Sequence, residues 1–145
     1  MPSSPLHQFL KLEQQLANEV YLRQPFNGQW KEYTWKQAGN EARRMAAAIH
    51  ALNLPKGSHI AILSKNCAHW MMADIAIMMA GCISVPLYAT LSAHAIQPIL
   101  EHSETKAIFI GKLDDFAEQT EGIPKNIVRI SFDDYGIKEE HTWNE

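Results

Sequence analysis

At 145 residues the chain has the length of one domain, and 46% hydrophobic against 20% charged residues is a globular balance. That excludes a disordered chain, and seven Gly with seven Pro exclude collagen-like or linker sequence. Thirteen Lys and Arg against sixteen Asp and Glu leave a net charge of −3 with His neutral. A nucleic-acid binder turns a basic surplus toward phosphate, and none is visible here.

The first apolar residues, from Leu6 and Phe9 to Val20 and Tyr21, recur at helical spacing and predict a helix over 6–22. Asn27-Gly28 is a tight-turn dipeptide, because both residues tolerate positive φ, and it predicts a hairpin over 22–34. Pro25 then belongs on an edge strand or in the loop. Thr34-Trp35-Lys36-Gln37 reads as a capping box opening a helix that carries Ala38, Ala42, Met45, Ala46 and Ile49 on one face. Leu54-Pro55-Lys56-Gly57 ends it.

His59 to Leu63 reads as a short buried strand, and Asn66 is placed to cap the next helix. The twenty residues from Trp70 to Ala89 hold one charge, Asp74, and have transmembrane length. Their character changes at Gly81, from Met- and Ala-rich helix formers to a β-prone run that Pro86 ends. A helix over 67–80, a Gly break and a strand over 82–87 therefore replace a membrane span. Ser92 can cap a third helix, in which Pro98 predicts a kink or a later start. Strands are expected at 106–110 and 126–130, with a short helix over 113–119 between them. After Asp133 the chain is polar, with Trp143 among charges.

The fold class is therefore α/β: a mostly parallel sheet with helices on both faces, preceded by an N-terminal helix and hairpin. Residues 1–34 form that first unit, 35–132 the α/β subdomain, and 133–145 a truncated polar tail. The N-terminus lacks the basic and apolar regions of a secretory leader. Cys67 and Cys82 read as two buried thiols in a reducing compartment, so the expected location is cytoplasmic.

Reactive constellations are missing. There is no GxGxxG, no GxxxxGK[ST], no GxSxG and no HExxH, and Lys56-Gly57-Ser58 is too short to cradle phosphate. His94 and His102 lie about two helical turns apart, but Pro98 between them spoils a shared metal face. Asp114-Asp115 and Asp133-Asp134 are adjacent pairs whose side chains diverge, and the first pair suits a helix N-terminus. Asp74 stands alone in an apolar helix and reads as a polar edge or a group bonded to a neighbour.

Two stretches carry a family resemblance. One runs through Tyr33-Thr34-Trp35 to Leu54–Leu63 and Asn66-Cys67-Ala68-His69-Trp70. The other runs from Met79 to Tyr88 and from Leu100 to Ile110. Together they resemble the N-terminal part of AMP-forming acyl-CoA synthetases of the adenylate-forming superfamily. The run from Pro86 to Ser92 is most similar to the long-chain fatty-acid branch. The resemblance implies a ligase that activates a fatty acid with ATP and Mg²⁺ to acyl-AMP and transfers it to coenzyme A. It implies that the fatty acid, ATP, coenzyme A and the rest of the parent enzyme are partners. The family's phosphate loop, ribose-binding acid and C-terminal lysine have no counterpart here. No catalytic, cofactor-binding or metal-binding residue is therefore carried over, and the isolated chain is expected to be inactive. Pro98 and Ser58, where the family usually has an acid, depart from the pattern. Peripheral membrane contact and self-association through exposed apolar surface are compatible with such a fragment. The rival reading is a stand-alone flavodoxin-like binding module, which needs its own ligand crevice at the strand C-termini.

Overall fold

A computed structural model describes residues 4–144. Helix α1 (Pro5–Gln15) starts with Pro5 in its first turn, and the Ser4 hydroxyl accepts the His7 amide. It stops well before the predicted 22. The backbone carbonyls of Ala17 and Glu19 instead receive the Lys36 and Trp35 amides, and Val20 enters a strand. The hairpin β1 (Val20–Phe26) and β2 (Gln29–Thr34) is antiparallel, and Asn27 and Gly28 both hold positive φ in its turn. Helix α2 (Trp35–Ala51) opens on the complete capping box: Thr34 Oγ1 accepts the Gln37 amide, and Gln37 Oε1 accepts the Thr34 amide.

Five parallel strands follow in the spatial order β4-β3-β5-β6-β7: β3 (His59–Leu63), β4 (Ile83–Leu87), β5 (Ala107–Ile110), β6 (Val128–Ser131) and β7 (His141–Thr142). Helices α3 (Ala68–Met79), α4 (Ala93–His102) and α5 (Phe116–Thr120) connect the first four. Side chains alternate along the strands. Ile60, Ile62 and Phe109 join the core with α1, α2 and α3, whereas Ala61, Leu63, Ile108 and Ile110 join the core with Ile96 and Leu100 of α4. Both faces are covered, as the apolar strands require. Among the described residues no helix is long and apolar enough to cross a membrane. Gly81, at φ +75°, makes the turn between α3 and β4 that divides the apolar stretch.

Four local expectations change. Asn66 does not cap α3: Cys67 holds the cap position, and the buried Gln24 side chain of β1 accepts the Ala68 amide at 2.9 Å. Pro86 does not end β4 but lies within it. The Ile83 amide donates to Ser58 O just before β3, so alternation turns Ser84 and Pro86 outward, where β4 has no neighbouring strand. Helix α4 starts at Ala93 under a Ser92 cap and runs through Pro98, and both Pro98 and His94, whose carbonyl loses its helical donor, are exposed residues. Finally, the segment after Phe132 forms a 3₁₀ turn (Asp133–Tyr135) and β7, and Trp143 is fully buried against Phe109 and Phe132 rather than left among charges. An indole and two Phe rings gain more from mutual burial than the surrounding polar residues lose.

Candidate functional site

In a doubly wound sheet ligands enter at the C-terminal ends of the strands, where the chain order reverses. Here that place lies between β3 and β5, because β4 follows β3 on one side and β5 on the other. Its loops are stitched together. The Lys65 amide donates to Lys112 O at 2.8 Å, the Gly111 amide to Leu63 O at 3.0 Å and the Lys112 amide to Ser64 Oγ at 2.8 Å. Ser64 Oγ in turn donates to Lys65 O. Gly111 makes the approach possible, since a Cβ there would overlap Ser64 Oγ and the Phe132 ring. Lys65 pairs with Asp114 across the same gap. These bonds tie the β3 and β5 exits to each other.

Two open grooves flank this seam. One, of about 530 Å³, lies between Ser64, Lys65, Asn66, Trp70 and the β4 exit at Pro86–Ala89, where Tyr88 is 81% exposed. The other, of about 590 Å³, runs from the hairpin tip at Phe26 and Asn27 past Lys112 and Phe116 to Tyr135 and Ile137. In the second groove the Tyr135 hydroxyl meets Nδ1 of the buried His69 at 2.9 Å. Both lysines are already engaged, Lys65 with Asp114 and Lys112 with its Nζ 5.8 Å from the Tyr135 ring centre. Trp70 and Tyr88 on one side of the seam, and Phe26, Phe116 and Tyr135 on the other, make the rim largely aromatic.

Of the residues singled out in the sequence, Asp114 lies at the seam, Asp134 lines the larger groove, and Asn66 and Pro86 line the other. Lys56-Gly57-Ser58 is a turn at the opposite, N-terminal end of β3, with the Ser58 hydroxyl spent on Pro55 O. Asp74 is half-buried and accepts the Ser84 hydroxyl of β4, a neighbour that the Gly81 turn brings alongside. His94 is exposed, and His102 is exposed in the last turn of α4, a place that favours a basic side chain. Asp115 caps α5 through the Glu118 amide. Asp133 and Asp134 both accept from the Asn144 side chain, at 3.0 and 2.8 Å. Cys67 is buried and Cys82 half-buried, both reduced, and burial pushes the Cys82 thiol up. Among the described residues no three His, Cys, Asp or Glu side chains gather as metal donors.

The seam residues Ser64, Lys65, Gly111 and Lys112 escaped the sequence reading. The one available signal was a Gly directly after a fully apolar strand, which marks close backbone approach. His69 entered the sequence reading only as part of the run Asn66–Trp70 that carries the resemblance. It is fully buried, with Nδ1 2.9 Å from the Tyr135 hydroxyl. Burial lowers its pKa, against the pull of Asp134 and Glu41, and burial raises the Tyr33 and Tyr135 hydroxyls.

Comparison with known proteins adds what the geometry lacks. The AMP-binding enzyme family matches residues 12–144. Fatty acyl-CoA synthetase A of Dictyostelium discoideum is 38% identical over 81 residues, 56% of this chain and 12% of that protein. Long chain acyl-CoA synthetase 2 of Arabidopsis thaliana is 32% identical over 112 residues, 74% of this chain and 17% of its own length. The chain thus spans well under a fifth of these two curated relatives. Among solved structures, the anthranilate CoA ligase AuaEII in complex with anthranoyl-AMP superposes with a TM-score of 0.79 at 20% identity, over 93% of this chain and 27% of that one. At that identity the likeness speaks for the fold alone.

Proposed function

This chain belongs to the AMP-binding enzyme family, and from that premise we propose that it is part of a longer ligase for fatty acids. In that ligase the acid's carboxylate attacks the α-phosphate of ATP, pyrophosphate leaves, and acyl-AMP forms. The thiol of coenzyme A then attacks the acyl carbonyl and AMP leaves. The observation that carries the reading is the 133-residue family match, joined to relatives named as fatty acyl-CoA synthetases. The resemblance of Pro86–Ser92 points to long acyl chains.

ATP, Mg²⁺ and coenzyme A would be bound by the parent enzyme. Its own contribution is a frame. The stitched seam between β3 and β5 keeps solvent and ligand out of the sheet, and the flanking grooves give the remainder of the parent enzyme a surface to meet. In this reading residues 35–132 are the α/β subdomain of the AMP-binding domain, flanked by 1–34 and 133–145. The proposed setting is cytoplasmic, with peripheral membrane contact allowed. Isolated copies are expected to associate through exposed apolar residues such as Ile83, Tyr88 and Met71.

The test compares two preparations, the 145-residue chain and the polypeptide encoded by its complete reading frame. With palmitate, ATP, Mg²⁺ and coenzyme A, the second should release AMP and form palmitoyl-CoA. The first should show no palmitate-dependent exchange of pyrophosphate into ATP. Exchange by the 145-residue chain, or an inert complete polypeptide, overturns the reading.

A further inference from the structure

His69 stands in the first turn of α3, and the chain after β6 wraps around it. The Tyr135 ring meets the imidazole edge-on at 5.1 Å, Trp143 meets it edge-on at 5.2 Å, and Phe132 lies at 5.6 Å. Tyr33 of β2 closes the far side at 6.2 Å. Nδ1 is bonded to the Tyr135 hydroxyl. Nε2 lies 3.3 Å from Asp134 Oδ2 but is not aligned for a hydrogen bond, and it has no other partner among the described residues. Three of the groups that touch this imidazole, Asp134, Tyr135 and Trp143, lie in one segment of twelve residues, 133–144.

We propose that residues 133–144 form a pH-released clasp, held on α3 by neutral His69 and loosened when that imidazole takes a proton. Four rings exclude water from the site, so an imidazolium there loses its hydration. The first turn of α3 adds the partial positive charge of a helix N-terminus, which also opposes a cation. Around it stand Asp133 and Asp134 of the 3₁₀ turn, Tyr135, Glu41 of α2, Lys31 and Tyr33 of β2, and Cys67 at the α3 cap. The carboxylates favour the proton. Lys31 opposes it, and burial, the dominant influence, holds the imidazole below its ordinary value. An imidazole neutral when docked and free to titrate near pH ~6.5 when released leaves docking untouched above that pH. Below it, each pH unit weakens docking by up to about tenfold until the docked imidazole also titrates.

The Trp143 amide, which donates to Ser131 O at 2.8 Å, reports the clasp. Its hydrogen-exchange protection in the full chain, corrected for the intrinsic rate, is measured at about pH 7.5 and about pH 5.5, on either side of the free imidazole's midpoint. The expected result is a fall of about tenfold, with the Ile62 amide of β3 unchanged. His69→Gln should remove the fall. Asp134→Asn, which removes a carboxylate favouring the proton, should preserve or widen it. His141→Gln, which removes the segment's own imidazole, should leave it intact. Ring carbon shifts of His69 should give a midpoint below that of a free imidazole. Constant protection, an equal fall in His69→Gln, loss of the fall in His141→Gln, or an unshifted His69 midpoint overturns the proposal.

Discussion

The two faces of the sheet draw on the same central strands and yet are different materials. Toward α4 and α5, the buried cluster is wholly aliphatic: Ala61, Leu63, Leu87, Ile96, Leu100, Ile108, Ile110, Ile123 and Ile127. Toward α1, α2 and α3 it contains Phe9, Tyr33, Phe109, Phe132 and Trp143, with three methionine and cysteine side chains among them. Polar groups are buried there too. Glu13 is held by Arg43 of α2, with room given by Gly39, Gln24 caps α3, and His69 meets Tyr135. The aliphatic cluster itself needs only volume, and the buried Gln119 of α5 on its side donates to the Ala89 and Leu91 carbonyls. A face with buried polar atoms needs a specific partner for each, because an unpaired one costs about 1–3 kcal/mol.

The contrast can be broken most directly with one truncation on each side. Phe109→Ala should cost about 4 kcal/mol in urea unfolding and also loosen Phe132 and Trp143, which lie against it at 5.8 and 6.0 Å. Leu100→Ala should cost about 3 kcal/mol and leave the Trp143 environment unchanged. Equal disturbance of Trp143 by both would show that the faces are mechanically one. A smaller effect is expected at the seam. Gly111→Ala pushes a methyl into Ser64 Oγ and Phe132 and should cost about 2 kcal/mol, visible as a lower urea midpoint with an unchanged slope. Smallest are the caps. Thr34→Ala should cost about 1 kcal/mol, and Ser92→Ala somewhat less, because only Thr34 belongs to a reciprocal box. Amide exchange should then rise in α2 for the first variant and in α4 for the second.

The same contrast explains what could be read from the chain beforehand. The aliphatic face follows from strand alternation and helical spacing, which are local. So do the Thr34 box, the Asn27-Gly28 turn and the break at Gly81. The aromatic face depends on encounters that no window of sequence contains. Gln24 reaches Ala68 across 44 positions, and His69 reaches Tyr135 across 66. The expected extent of helix α1 differs for a related reason: Val20 and Tyr21 fit its spacing, but Val20 pairs with Thr34 of β2 and Tyr21, at the irregularity beside it, stacks on Trp35. The rim was hidden because Ser64 meets Lys112 only after two crossovers. The family, by contrast, was legible in runs of residues whose order needs no structure to compare.

Pro86 carries a consequence for how copies of this chain meet. Of the two residues within β4 whose backbones face away from the sheet, Ser84 retains an amide hydrogen and Pro86 has none. A visiting strand would therefore find a gap in the ladder within one step and could not zip along this border. Fibrillar growth by strand addition is blocked at β4, and molecules crowding together on that side must touch through their side chains.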